Sequence, residues 1–218
     1  MPKVKIPRKS TTIDMTAMCD VAFLLLSFFI LATKQKPPEV LAVTPPNSIS
    51  AKAAPEKSIL ITLTKEGKVF LMLGDETKKA DILNDINTTK GLNLSAAELN
   101  KWNKAPFIGV PLGQIKSMLA MSTEIPANKL PGIPCDSSKN EMVDWMKSVT
   151  NVYAKAKTDQ RVLQEMLLIK GDNASLYPAF KNIKQAFKKN EIFKFRIVTN
   201  GESVPVGSEL YLNPPKAN

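Results

Sequence analysis

The pattern of apolar and polar positions divides the chain sharply near its start. Residues 1–10 carry Lys3, Lys5, Arg8 and Lys9 and no acid. Residues 21–32 carry no charge at all, and Lys34 and Lys36 close the stretch. From Met15 to Ala32 is 18 residues, which as a helix spans about 27 Å, close to the roughly 30 Å hydrocarbon core of a bilayer. The pattern predicts a transmembrane helix over 13–33 behind a cytoplasmic basic tail, 1–12, since a basic start holds the N-terminus in the cytoplasm. A cleaved signal peptide is the alternative, because a basic leader and a short apolar run suit one. Asp14 and Asp20 lie between those two parts, and Leu31-Ala32-Thr33 runs straight into Lys34. Both features favour an uncleaved anchor.

Beyond the span the pattern changes twice. Residues 34–57 hold Pro37, Pro38, Pro45, Pro46 and Pro55 and read as an extended, semi-rigid linker. Within it, 40–43 is an apolar piece suited to docking on a folded domain. Residues 58–64 and 68–73 then alternate or run apolar around Glu66-Gly67, the signature of a β-hairpin. Residues 167–170 form a short apolar strand, with Gly171-Asp172-Asn173 as a turn. Tyr177, Phe180, Ile183 and Phe187 recur at helical spacing and predict a helix over 175–189, with Lys181, Lys184 and Lys188 on its solvent side. A strand over 192–199 follows.

Between these blocks, 88–139 reads as a peripheral insertion. Ser95-Ala96-Ala97-Glu98 is a capping box, and 113–122 is a second helical patch. Residues 125–136, with Pro126, Pro131 and Pro134, read as loop. Ser138-Lys139-Asn140-Glu141 is a further capping box and predicts a helix to about Lys157. Trp102 and Trp145 suit a core. The expected fold is a single N-terminal transmembrane α-helix plus an α+β outer (periplasmic) domain over 58–212, with a short tail at 213–218.

Composition narrows the chemistry. There is no histidine, which removes His-based general base catalysis and most catalytic zinc sites. The two cysteines, Cys19 and Cys135, form no CxxC pair, so no metal is expected. The net charge is +10, but only Arg8, Arg161 and Arg196 are arginine. A lysine excess spread in this way suits a solvated surface or an anionic envelope better than base or phosphate recognition, and no nucleic-acid partner is expected.

Asp20 is the residue that needs a reason. A carboxylate within a span costs several kcal/mol, so membrane acids usually face a protein interior or a water path. Thr16 and Ser27 lie four residues before and seven after it, within about 40° on one helical face. One polar stripe on one lone helix calls for partner helices from another chain. The competing reading places Asp20 at the cytoplasmic interface and leaves only thirteen residues to span, which is short. Asp14, about 120° round the helix, reads as an interfacial or capping acid.

At these residues the chain resembles a family. Asp14-Met15-Thr16-Ala17-Met18-Cys19-Asp20-Val21, followed by a Leu/Phe-rich run, is similar to the membrane signature of the ExbD/TolR biopolymer-transport proteins. Asp14 stands where that signature usually has Asn, and Ala17 where it has Pro. The resemblance implies that Asp20 is the proton-carrying residue, with Thr16 and Ser27 facing the pore. It implies a single-pass protein of the bacterial inner membrane that is not an enzyme and needs no cofactor. The implied partners are an ExbB/TolQ-like multi-span oligomer, a second copy of this chain, and a TonB-like or TolA-like protein. Together they would form a proton-motive-force-driven motor energising TonB-dependent outer-membrane transport. The alternative is a membrane-anchored periplasmic binding or structural protein that conducts no ions.

Overall fold

The computed structural model describes residues 15–32, 41–49, 53–55, 57–120 and 129–212. The chain divides into two units, one ending at Glu39 and the other beginning at Val40. The first contains one helix, α1 (Met15–Ala32). The second runs in the order β1 (Asn47–Ser48), β2 (Ile59–Leu63), β3 (Val69–Leu73), α2 (Glu76–Lys90), α3 (Ala96–Lys104), α4 (Ile115–Ala120), α5 (Met142–Lys155), α6 (Gln160–Met166), β4 (Leu167–Gly171), α7 (Tyr177–Lys189), β5 (Arg196–Ile197), β6 (Asn200–Gly201) and α8 (Glu209–Leu212). The tails 1–12 and 213–218 lie outside the described residues.

The hairpin of β2 and β3 forms where the apolar runs predict it. Gly67, at φ +81°, makes the turn that a side chain would strain. The main sheet has the order β3-β2-β4-β5. β2 pairs antiparallel with β3 and parallel with β4, and β4 pairs parallel with β5. Ile59, Ile61 and Leu63 stand in register with Leu73, Leu71 and Val69 on one side, and Ile59 and Ile61 with Leu167 and Ile169 on the other. All are buried. Against this face pack Ile82, Leu83 and Ile86 of α2, Trp145, Met146 and Val149 of α5, and Ile183, Ala186 and Phe187 of α7, in one hydrophobic core. Trp102 and Trp145 meet edge to face with ring centroids 5.6 Å apart, both fully buried, as expected of core aromatics.

α2 departs most from the sequence reading, because its polar run hides a helix that starts twelve residues before Thr88. Asp75 caps it by accepting from the Thr77 amide, and Gly91 closes it at φ +61°. A second bond, from the Thr77 hydroxyl at 2.6 Å, holds the Asp75 carboxyl below the usual carboxylate range. Lys79 on α2 is buried, and its Nζ donates to the Ala105 carbonyl at 2.6 Å, tying α2 to the end of α3. Burial pushes that ammonium below the ordinary lysine range.

The capping box at Ser95 forms as predicted. The one at Ser138 does not. Helix α5 starts at Met142 without a side-chain cap. The Glu141 carboxylate instead accepts from the Leu112 amide at 2.7 Å and pairs with Lys139 at 3.0 Å. The expected strand over 192–199 shrinks to the two residues of β5. The chain leaves α7 through Glu191 at φ 58°, Ile192 turns into the core, and Phe193 is exposed.

The expectation that 88–139 is peripheral is overturned. Trp102, Ile108, Val110, Leu112, Ile115, Leu119, Leu130, Ile133 and Cys135 all belong to the main core. The segment also closes an edge of the sheet. Leu71 and Ile108 exchange two backbone hydrogen bonds, at 2.8 and 2.7 Å, and the Ile133 amide donates to the Val69 carbonyl at 2.8 Å. Gly109 sits so close to the Phe70 ring that a Cβ there would overlap it.

The expected linker over 34–57 also shortens, because residues 41–49 lie on the folded unit as a strap. Val43 is buried and Leu41 packs against the core. β1 pairs parallel with β6, in register Asn47 with Asn200 and Ser48 with Gly201. The Asp172 carboxylate accepts from the amides of Ala174 at 2.8 Å and Thr44 at 3.2 Å. The Asn173 amide returns a bond to the Thr44 carbonyl at 2.9 Å. The hydrogen bonds from Ala174 and Thr44 hold the Asp172 carboxyl below its ordinary range.

Three outcomes follow. Gly109→Ala should destabilise the folded unit by about 1–3 kcal/mol in urea unfolding, the usual cost of overpacking. Excising 88–139 should remove cooperative unfolding altogether, and a cooperative transition in the excised chain would refute its place in the core. A fragment of 40–212 should be more stable than one of 54–212 by about 2 kcal/mol, the burial of Val43 being the main part.

The strap should respond to acid. The Asp172 carboxyl is lowered in the folded state, so its contribution is present above the unfolded value near 4 and is lost as pH falls through the folded value. Relative to the intrinsic exchange rate at each pH, the protection of the Thr44 and Asn200 amides should be unchanged between about pH 5 and 8 and should fall below about pH 4. In Asp172→Ala the Thr44 amide should lose that protection at every pH.

Candidate functional site

α1 is apolar over its whole length except for a few positions, and the helix follows from that composition. The sequence MTAMCDVAFLLLSFFILA contains neither proline nor glycine, and Asp20 is its one charged residue. Its length and composition make it the candidate membrane span among the described residues. It contributes no buried residue, and Phe23, Leu24, Leu25, Leu26, Phe28, Phe29, Ile30 and Leu31 are all exposed. Such a surface is stable against lipid tails or other apolar helices and unstable in water.

The regular helix places Thr16, Asp20 and Ser27 on one face, as their spacing predicts. Asp20 is exposed there, and no described side chain of this chain reaches its carboxyl group. Ser27 differs from the expectation in one respect. Its Oγ donates to the Leu24 carbonyl one turn back, at 2.9 Å. That bond satisfies the hydroxyl proton within the helix, so Ser27 can face lipid or protein without stranding a donor. Asp14 lies outside the described residues. Cys19 is exposed beside Asp20, and Cys135 is buried with its thiol pushed up to about 12 by burial. Both are free.

The folded unit carries two further features that the sequence did not single out. A slot of about 260 Å³ lies beside the strap, lined by Pro46, Leu63, Ile169, Asp172, Tyr177 and Ile197. An open cleft of about 620 Å³ runs between α2 and α5, where Lys155 pairs with Asp85 at 3.1 Å. At the mouth of that cleft the Lys78 Nζ sits 3.7 Å from the centroid of the Tyr153 ring. Among the described residues no cluster of three potential metal ligands occurs. The slot's polar signal, Asp172 after the apolar strand, is visible in the sequence. Its partner Thr44 is not, being 128 positions away.

Residues 7–202, nearly the whole chain, match the family described as biopolymer transport protein ExbD/TolR. No curated protein and no solved structure matches the chain. The match covers both the apolar helix bearing Asp20 and the helix-and-sheet unit that follows it. The chain is therefore a member of the ExbD/TolR family of biopolymer transport proteins.

Proposed function

We propose that this chain is the ion-carrying subunit of an inner-membrane motor driven by the proton-motive force. The observation that carries the reading is Asp20, a single ionisable group in an 18-residue apolar helix whose own chain offers it no partner among the described residues. A carboxyl in that position needs a surrounding built by other helices. An ExbB/TolQ-like multi-span oligomer would supply it, with a second copy of this chain alongside. In such a channel the carboxyl alternates between its neutral and ionised forms as protons arrive and leave. Each charge that crosses gains about 2.3 kcal/mol per 100 mV of membrane potential, which is available to turn or shift α1.

The N-terminus of this subunit lies in the cytoplasm and the outer unit in the periplasm. There the outer unit engages a TonB-like or TolA-like protein and so passes the work to an outer-membrane transporter. Thr16 and Ser27 line the same face as Asp20 without titrating. The basic residues before the span and the family match both support this orientation and role.

The test is uptake or motility in cells carrying single variants at matched protein levels. Asp20→Asn keeps the shape of the side chain and removes its titration, so it should insert, copurify with its partner and reduce energy-dependent transport to background. Thr16→Ala should cost less. Ser27→Ala should cost little, because its hydroxyl is already bonded to Leu24. Asp14→Asn should cost least. Full activity of Asp20→Asn would end the motor reading and leave an anchored binding protein.

A further inference from the structure

We propose that the outward face of α7 is a docking surface for the anionic lipid headgroups of the membrane that α1 enters. The inference goes beyond ion conduction and does not depend on it. Tyr177, Lys181, Lys184 and Lys188 recur at i, i+4, i+7 and i+11, which places them within about 60° on one face of the helix. All four are exposed, and Tyr177 is 65% exposed although its apolar spacing had suggested the core. Lys189, the last residue of the helix, and Lys194 beyond it add basic charge beside the exposed Phe193.

α7 itself carries no acid to offset this charge. Residues 173–190 contain four lysines and no aspartate or glutamate. Asp172 at one end is engaged by the Thr44 and Ala174 amides. Asp144 on the neighbouring α5 is held by Lys90 at 2.6 Å, and Glu141 by Lys139 and the Leu112 amide. Glu191 is the one acid immediately after the helix. Among the described residues none of the four α7 lysines has a carboxylate partner.

Lysines alone would suit water. Two things favour a lipid surface here. Tyrosine flanked by lysine is the pairing that settles at the headgroup level, with the ring in the interface and the ammonium groups on phosphate. And only eight residues separate Ala32 from Leu41, a stretch that reaches at most about 30 Å. A basic face tethered that closely meets headgroups at high effective concentration, so a contact too weak to hold a free protein suffices.

The experiment uses the full-length chain in lipid nanodiscs, either wholly zwitterionic or with about one-third phosphatidylglycerol. Lysines are labelled with an amine-acylating reagent and each site's rate is read by mass spectrometry. Lys181, Lys184 and Lys188 should label about fivefold or more slowly in the anionic discs, and the difference should vanish at about 0.5 M salt. Lys101, Lys104 and Lys116, exposed on α3 and α4, should label alike in both. In a chain carrying Lys181→Gln, Lys184→Gln and Lys188→Gln, the protection of Lys189 should be lost while the melting temperature stays put. Equal labelling in the two discs overturns the proposal. Protection that ignores both lipid charge and salt overturns it too, and assigns the face to a protein partner instead.

Discussion

Everything in the folded unit depends on the parallel pairing of β2 with β4. Adjacent parallel strands cannot be joined by a tight turn, so the chain must cross one face of the sheet before it returns. Here the β2–β3 hairpin comes first, and the crossover then runs from Gly74 to Met166. Those residues supply α2, α3, α4, α5 and α6, and with α7 they cover the helix-facing side of the sheet. The apolar residues on that side have no other source of cover. This is why a stretch that looks like an insertion in sequence carries eleven side chains of the core among the described residues. Its removal would strip Val69, Phe70 and Leu71 of the neighbours that Ile133, Gly109 and Ile108 supply.

The legible parts were those whose signal is local. α1 shows in a charge-free run, the hairpin in two apolar stretches around a Gly turn, and α7 in apolar residues every three or four positions. α2 was missed because it buries few apolar side chains and fills the rest of its length with Asn, Asp, Thr and Lys, residues that favour turns and caps as readily as helix. The false capping box at Ser138 has the opposite cause. Its Glu141 had a better use, since the Leu112 amide is buried and would otherwise lack an acceptor. A sequence window around 138 cannot see residue 112. Tyr177 fits the apolar period of α7 and is nonetheless exposed, because it falls at the very first turn of the helix, beyond the edge of the packed surface.

The same division holds for function. A lone acid in a fatty helix stands out without any structure, so the sequence alone proposes Asp20 with Thr16 and Ser27 as one candidate set. What the structure adds is that Ser27 has already satisfied its donor, leaving the carboxyl of Asp20 as the group on that face for which the described chain supplies nothing. The strap went unrecognised beyond its short apolar core because its partners, Asp172, Asn173 and Asn200, all come from the far end of the chain. Prolines at 45 and 46 read as linker, and in the fold they are the residues whose carbonyls accept from Asn200. Proline lacks an amide proton but keeps its acceptor, so a Pro-rich segment can still join a sheet from one side.

The bridges from Ile108 and Ile133 onto β3 have a consequence for how copies of this chain can stack. A sheet with two open ends can be lengthened without limit, each new copy offering the next one a template. Here one end of the main sheet is stoppered by the chain's own backbone, so among the described residues that sheet is left open at the short β5. Two copies that met through β5 would use up both open ends at once. Strand pairing would therefore stop at a closed pair, and a protein held at high density in two dimensions would be spared runaway growth into fibres.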